Sequence, residues 1–195
     1  MYVLGLTGGT GSGKTTALEV LGEFGAKTID CDALYHSLLR ENKEMRAELE
    51  NFFGDISTNG AVDTKKLGAI VYSSAEKLAA LNEITHKYVR AAVKKVIDAE
   101  RSGGTAVVAI DAIALIEAGL GELCDLIYGI TAPQDIRVAR LIMREGISED
   151  YARLRISAQK PDEWYYVNCD KVLINAGSKD EFRLICREEF ARYFM

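Results

Sequence analysis

A glycine-rich segment directly after the first apolar run constrains the fold of this chain more than any other feature. Residues 8–15 read Gly-Gly-Thr-Gly-Ser-Gly-Lys-Thr, and they follow an apolar run at 2–6 that predicts a short buried strand. Residues 15–24 then carry apolar side chains at helical spacing. A strand, a loop of the form GxxxxGK[ST] and a helix place successive backbone N–H groups around an anion. We therefore predict a phosphate-binding loop at the start of an α/β domain.

The fixed positions of this loop have distinct chemical roles. Its glycines allow the backbone to wrap closely around phosphate oxygens, Lys14 would reach the β- and γ-phosphates, and the Thr15 hydroxyl would coordinate Mg²⁺. The alternative is a glycine-rich turn beside a surface lysine, but the strand and helix on either side favour the phosphate loop. We expect ATP and Mg²⁺ as cofactors. The expected nucleotide-binding residues here are Gly9, Thr10, Gly11, Ser12, Gly13, Lys14, Thr15 and Thr16.

The rest of the chain continues the α/β order. Further short apolar runs predict strands at 26–29, 105–110, 125–130 and 172–174, and the segments between them have helical patterns. This order favours a parallel sheet covered by helices on both faces. Residues 32–101 are almost entirely helical in pattern, with interruptions near 54–60 and around Ser73.

This pattern also predicts the domain organisation. We expect a single P-loop fold over residues 1–195, with its core at about 1–32 and 104–195. The long helical stretch at about 33–103 is the natural place for a substrate-binding insertion, and the Arg- and Glu-rich stretch at about 137–160, interrupted by Gly146, is a candidate lid.

Composition excludes several function classes. The chain has 24 Lys and Arg against 29 Asp and Glu, and the resulting net charge of −5 argues against nucleic acid or an anionic membrane as the main partner. Neither a membrane-spanning segment nor a signal peptide is predicted, and we expect a cytoplasmic monomer or weak homo-oligomer. The four cysteines form no CxxC pair, so neither a disulfide framework nor a structural zinc site is expected.

Two aspartates follow the second predicted strand, at the sheet edge where open α/β folds bind ligands. A carboxylate at this position can orient a hydroxyl group or accept its proton as the oxygen attacks a phosphate. The alternative is a helix N-cap and a solvated turn. Because the chain turns into a helix here, spacing alone does not choose between Asp30 and Asp32 as the catalytic group.

Arginines recur at helical spacing after Pro133. Such a stripe commonly forms a solvated face with acidic neighbours, but in a phosphoryl-transfer enzyme it can also close over the transferring phosphate. We expect at least one of Arg140 and Arg144 to act in this second way. The arginines of this region are Arg137, Arg140, Arg144, Arg153 and Arg155.

Two further residues have alternative interpretations. Asp111 follows the predicted strand at 105–110, where it would either hold Mg²⁺ or cap the next turn. His86 lies within a helical pattern beside Lys87 and Arg90, and its position alone favours a structural role.

Together, these motifs resemble the dephospho-CoA kinase family. Residues 6–16 are similar to the opening loop of that family, 29–32 to its Asp-x-Asp motif and 83–90 to its His-Pro segment. Residues 111–117, 147–159 and 169–177 are similar to the stretch after its third strand, its lid-to-helix segment and its closing Asn-x-Gly stretch. The resemblance therefore runs almost from end to end, and the last stretch and the Asp-x-Asp placement are more particular to the family than the loop.

The resemblance implies ATP-dependent phosphorylation of the ribose 3′-hydroxyl of dephospho-CoA, the last step of coenzyme A synthesis. It implies Asp32 as the catalytic carboxylate, Lys14 and Thr15 as phosphate and Mg²⁺ contacts, and Arg140 as a lid arginine. The helical insertion would bind the CoA moiety. The residues that the resemblance places at the acceptor are Asp32, His86, Arg90 and Leu115, and Asn175 joins the nucleotide site.

The chain departs from the family pattern at several positions. Lys87 and Ile113 stand where the family has prolines, and further differences occur at Ile116, His36 and Thr10. Because proline fixes φ and removes an N–H donor, the loss of two prolines can reshape an acceptor pocket. The alternatives are therefore a P-loop kinase acting on another nucleoside- or nucleotide-like acceptor, and a non-catalytic ATP-binding protein.

Overall fold

The computed structural model describes residues 1–58 and 61–195 and confirms the α/β class. The strands are β1 (Tyr2–Thr7), β2 (Lys27–Asp30), β3 (Ser57–Thr58), β4 (Ala61–Val62), β5 (Val107–Asp111), β6 (Leu126–Thr131) and β7 (Lys171–Ile174). The helices are α1 (Lys14–Glu23), α2 (Cys31–Glu41), α3 (Lys43–Phe53), α4 (Thr64–Val71), α5 (Ala75–Ser102), α6 (Gln134–Glu145), α7 (Glu149–Ser157), α8 (Asp162–Asn168) and α9 (Lys179–Phe190). Short 3₁₀ turns cover Leu120–Leu123 and Ala191–Tyr193.

The main sheet has the strand order β2-β5-β1-β6-β7, with β1 in the centre. β1 pairs in parallel with both neighbours, so that Leu6 lies opposite Asp111 of β5 and Tyr128 of β6. β6 pairs in parallel with β7. The carboxyl ends of these strands therefore meet at the edge where the glycine-rich loop leaves β1.

The hydrophobic core around the main sheet holds β1 in place between helices. Every residue of β1 after Tyr2 is buried, which fits a central strand covered on both faces. Each fully buried Leu or Phe contributes about 1.5–3 kcal/mol relative to an exposed one. A rigid β1 positions the loop that follows it. The cluster comprises Leu4, Leu6, Ala17, Val20, Leu21, Val107, Ala109, Tyr128, Ile130, Phe182, Cys186, Phe190 and Tyr193.

The chain divides into two compact units, residues 1–29 with 97–195 and residues 30–96. The second unit has its own core, formed by Leu39, Met45, Leu49, Ile56, Leu67, Val71 and Ile84. The interruption predicted near 54–60 contains β3, which pairs with β4 in a small antiparallel ladder; residues 59 and 60 lie outside the described residues. Strands of two residues have no sequence periodicity, and for this reason they were not predicted.

The longest helix in the described part of the chain is α5, with 28 residues. At 1.5 Å per residue it is long enough to cross a bilayer, so its composition decides whether it could do so. Charged side chains occur along the whole helix, from Glu76 to Arg101. Within residues 1–58 and 61–195, neither α5 nor another helix is both long and apolar enough to cross a membrane.

Candidate active site

The predicted phosphate loop connects β1 to α1 and requires glycine at several positions. Gly11 and Gly13 have φ values of 75° and 108°, in the left-handed region that favours glycine. A Cβ atom on Gly8 would lie 2.3 Å from the carbonyl oxygen of Ile130, and one on Gly13 would lie 2.1 Å from Nδ2 of Asn175. The loop is therefore shaped both by its own conformation and by the close approach of neighbouring strands.

Several backbone N–H groups of the loop remain available for a ligand. The Ser12 N–H donates to the Gly9 carbonyl at 3.2 Å, and the Thr10 N–H donates to Oε1 of Gln159 at 2.8 Å. Free N–H groups at the start of a helix, at the positive end of its dipole, form an anion-binding site. Within the part of the chain that the structure describes, the loop N–H groups without an acceptor include those of Gly11, Gly13, Lys14 and Thr15.

A cavity of about 420 Å³ lies against this loop. Its wall carries four cationic side chains and, within the described residues, no carboxylate, so it suits a polyanion. The lining residues are Gly8, Gly9, Thr10, Gly11, Gly13, Lys14, Thr15, Thr16, Ile113, Arg140, Arg144 and Arg155.

Lys14 and Asp111 form an ion pair beside the loop. Lys14 Nζ lies 2.8 Å from Asp111 Oδ1, and the two side chains are only 15% and 22% exposed. Asp111 is the last residue of β5, in register with Leu6 of β1, and this places its carboxylate near the start of α1. The carboxylate contacts Lys14 and makes no capping hydrogen bond in the described residues. This argues against the capping interpretation of Asp111, and the role as a Mg²⁺ ligand stays a prediction.

Arg140 projects from α6 to the loop and is held there by neutral groups. Its Nη1 donates to the Gly11 carbonyl at 3.2 Å, and its Nη2 donates to Asn175 Oδ1 at 2.9 Å and to the Gly177 carbonyl at 3.2 Å. Burial lowers the pKa of its guanidinium from the ordinary value. Among the described residues, no carboxylate forms an ion pair with it, and burial is the cause of its pKa shift. Its positive charge is therefore directed to the cavity without compensation.

Two other arginines of the predicted stripe line the cavity edge in ion pairs. Arg144 and Arg155 both contact the carboxylate of Glu145, and these hydrogen bonds lower the pKa of that carboxyl. Arg153 pairs with Glu149 on the surface. Arg140 thus differs from these arginines in its partners, which are neutral groups instead of carboxylates.

Arg137 has a role that the sequence did not indicate. It is 4% exposed, and its Nε donates to the Thr10 carbonyl at 2.9 Å. Its Nη2 donates to Gln159 Oε1, also at 2.9 Å, and Nη1 faces Asp162 at 3.6 Å. Arg137 and Gln159 therefore support the phosphate loop from outside the cavity. A helical stripe predicts which arginines share a face, but not which of them is buried.

Asn175 lies at the end of β7 and is 4% exposed. Its Nδ2 donates to the Ser12 carbonyl at 2.8 Å, and its Oδ1 accepts the hydrogen bond from Arg140. It also lines a second cavity of about 380 Å³ next to the loop, together with Gly13, Thr16, Arg140, Gly177, Ser178 and Lys179.

In the helical unit, the two candidate carboxylates have different environments. Oδ1 of Asp30 accepts a hydrogen bond from the Ala33 N–H at 2.9 Å and caps α2. Asp32 lies in the first turn of α2 and is exposed, without a hydrogen bond or ion pair among the described residues. A carboxylate without a protein partner is available to a substrate hydroxyl, which favours Asp32 over Asp30.

The remaining acceptor-side candidates are divided between the two units. His86 and Arg90 are half-buried and lie four residues apart on one face of α5. Leu115, by contrast, is fully buried, and its Cδ2 would lie 2.9 Å from a Cβ atom on Gly5. Its side chain has no surface that a substrate could contact, so its burial does not support the expected direct contact.

Comparisons with known proteins agree over nearly the whole chain. The family model described as dephospho-CoA kinase matches residues 2–181. A dephospho-CoA kinase of Corynebacterium diphtheriae is 34% identical over 195 residues, which cover 99% of this chain and 98% of the relative. A crystal structure of a Thermus thermophilus protein matches with a TM-score of 0.80 at 30% identity, covering 98% of this chain and 97% of the other. Dephospho-CoA kinase from Campylobacter jejuni has the same fold, with a TM-score of 0.72 at 24% identity over 97% and 96% of the two chains.

Proposed function

The chain belongs to the dephospho-CoA kinase family, and on this premise we propose that it transfers the γ-phosphoryl group of ATP to the ribose 3′-hydroxyl of dephospho-CoA. The observation that carries this proposal is the cavity at the glycine-rich loop. Both the unpaired N–H groups of the loop and the uncompensated positive charge of Arg140 line this cavity. A polyphosphate is the ligand that such a site would bind most strongly.

The loop would hold the phosphates of ATP. The free N–H groups of Gly11, Gly13 and Lys14 would donate to phosphate oxygens, and Lys14 Nζ would leave Asp111 to contact the β- and γ-phosphates. The donor set also fits Mg²⁺, because Thr15 offers an exposed hydroxyl and Asp111 a carboxylate, both oxygen ligands. When bound, Mg²⁺ would neutralise part of the phosphate charge.

The chain's own residues would then carry out the transfer. Asp32 would accept the proton of the 3′-hydroxyl group. At the same time the hydroxyl oxygen would form a bond to the γ-phosphorus, and the bond from this phosphorus to the bridging oxygen of ADP would break. Arg140 would stabilise the charge on the transferring phosphoryl group, since it is fixed beforehand and partly shielded from water.

The helical unit, residues 30–96, would bind the CoA moiety. It contains His86 and Arg90 and a cavity of about 400 Å³ between α3 and α5. Lys87, which replaces the family's proline, pairs with Glu48 of α3, and Tyr88 donates to the same carboxylate at 2.8 Å. The replacement thus connects the two helices of this cavity. The cytoplasmic location and the monomeric or weakly oligomeric state stay predictions.

The test is a coupled assay with product identification. The chain is incubated with ATP, Mg²⁺ and dephospho-CoA, and in parallel with adenosine and common nucleoside monophosphates. We expect CoA as the product, at a kcat of about 1–100 s⁻¹, the range typical of kinases. Phosphorylation of another acceptor in preference to dephospho-CoA, or ATP binding without any transfer, would contradict the proposal.

A further inference from the structure

We propose that Asn175 is a positioning residue, whose carboxamide joins the phosphate loop to Arg140 and thereby fixes the guanidinium for phosphoryl transfer. This inference rests on the proposed function, and it assigns Asn175 an indirect role instead of the direct nucleotide contact that the sequence suggested. Its basis is a set of three contacts of the same buried residue, two of them made by its side chain.

The carboxamide is held from both ends. The backbone N–H of Asn175 donates to the Thr131 carbonyl at 2.8 Å, which anchors the residue to the end of β6. Nδ2 donates to the Ser12 carbonyl and Oδ1 accepts from Arg140, at 2.8 Å and 2.9 Å. The side chain is therefore a bridge between the loop after β1 and the arginine on α6.

Close packing leaves the carboxamide little freedom to move. Nδ2 approaches Gly13 so closely that a Cβ atom there would lie 2.1 Å away. The backbone of Asn175 also accepts a longer hydrogen bond from Arg140, at 3.4 Å. A carboxamide with its oxygen and nitrogen exchanged would fill the same space, but it would place an oxygen against the Ser12 carbonyl and an NH₂ group against the Arg140 guanidinium, so hydrogen bonding fixes the orientation of this buried side chain.

Charge explains why the bridge is an asparagine. A carboxamide supplies one donor for Ser12 and one acceptor for Arg140, whereas an ionised aspartate has no donor. An aspartate would also form an ion pair with Arg140 and cancel the charge that the phosphate should meet. The other acceptors of Arg140, the carbonyls of Gly11 and Gly177, are neutral as well. All of these contacts orient the guanidinium and leave its charge uncompensated.

A double-mutant cycle tests the proposal. Asn175→Ala, Arg140→Gln and the double variant are compared by kcat at saturating ATP and dephospho-CoA. We expect Arg140→Gln to lower kcat by about 10²–10³-fold and Asn175→Ala by about 10-fold or more. Because Asn175 would act mainly through Arg140, the loss of kcat in the double variant should be much smaller than the product of the two single losses. Losses that multiply would overturn the proposal.

Gln159→Ala is the matched control. It removes a contact with the loop, at the Thr10 N–H, but none with Arg140, so its loss of kcat should multiply with that of Arg140→Gln.

Should Asn175→Ala fail to fold, Asn175→Asp keeps the shape of the side chain. We expect Asn175→Asp to lower kcat and to raise the KM for ATP in the wild-type background, and to do so much less in the Arg140→Gln background. Equal effects in both backgrounds would contradict the proposal.

The two proposals fail in different ways. If the unaltered chain makes no CoA, the proposed function is wrong, and the same cycle is then run on ATP affinity by titration calorimetry. If CoA is made but the effects of Asn175 and Arg140 multiply, only the positioning role is wrong.

Discussion

Lys14 Nζ lies 2.8 Å from Asp111 Oδ1, so that the lysine of the phosphate loop is paired with the last residue of the neighbouring strand. The pair is largely shielded from water, and two opposite charges attract more strongly there than they do in bulk water. A phosphate group that binds Lys14 therefore competes with Asp111 for the same ammonium. The exchange would leave the Asp111 carboxylate available for Mg²⁺.

This relationship predicts opposite effects of Asp111→Asn with and without the metal. In EDTA, the ATP affinity should be unchanged or higher, because Lys14 no longer has a competing carboxylate. The Mg²⁺ concentration for half-maximal activity should rise about 10-fold, a typical loss when a group that supports a metal site is removed. Calorimetry and a Mg²⁺ titration of kcat measure the two effects. Lys14→Met is the contrast and should weaken ATP binding in both conditions; a similar loss with Asp111→Asn in EDTA would refute the competition.

The two aspartates at the start of α2 should differ sharply in kinetics. Asp32→Asn should lower kcat by about 10²–10⁴-fold, the usual contribution of a general base, while ATP affinity stays nearly unchanged. Asp30→Asn is the matched variant: asparagine caps helices as well as aspartate, so α2 and kcat should both be preserved. Steady-state kinetics and calorimetry check both variants. If Asp32→Asn kept its activity and Asp30→Asn lost it, the prediction would be wrong and Asp30 would be the catalytic carboxylate.

Two glycines with positive φ can be replaced by alanine to distinguish the effect of backbone strain on stability from the effect of a distorted loop on ATP binding. Gly25→Ala, at φ 93° with no atom within 4 Å of the new Cβ, should cost about 1–3 kcal/mol in the free energy of unfolding and leave ATP affinity intact. Gly13→Ala combines similar strain, at φ 108°, with a Cβ atom 2.1 Å from Asn175 Nδ2, so ATP binding should be lost as well. Chemical denaturation and calorimetry measure these effects. Intact ATP binding in Gly13→Ala would show that the loop tolerates displacement of Asn175.

Burial should make three cysteines slow to react at neutral to mildly alkaline pH. It raises the pKa of Cys124 to about 12, of Cys169 to about 11 and of Cys186 to about 12. Since the thiolate is the reactive form, its population at pH 8 predicts that iodoacetamide reacts with Cys169 roughly 100-fold, and with Cys124 and Cys186 roughly 1,000-fold, more slowly than with an exposed thiol. Because all three pKa values lie above pH 8, the rates should keep rising as the pH is raised to 10. Mass spectrometry of the native and the urea-unfolded chain measures this; equally fast labelling of both would contradict it.

The sequence alone was sufficient for the features that depend on local physics. The strand, the glycines and the helix of the phosphate loop are adjacent in the chain, and Gly146, predicted to interrupt the candidate lid, has φ 66° and follows the last residue of α6. Buried apolar runs located the strands of the main sheet within a few residues. The two-residue strands β3 and β4 were missed because they are too short for a pattern.

Which residue of each candidate set lies against the glycine-rich loop was decided only by the tertiary structure. Arg140 and Arg144 are equivalent in helical spacing, but Arg140 meets Gly11, 129 residues away, and Asn175, 35 residues away, whereas Arg144 meets the adjacent Glu145. A sequence pattern records which residues share a helix face; it contains no distance between segments far apart in the chain. Burial and charge compensation arise from those distances, and they determine which arginine keeps a charge for the ligand.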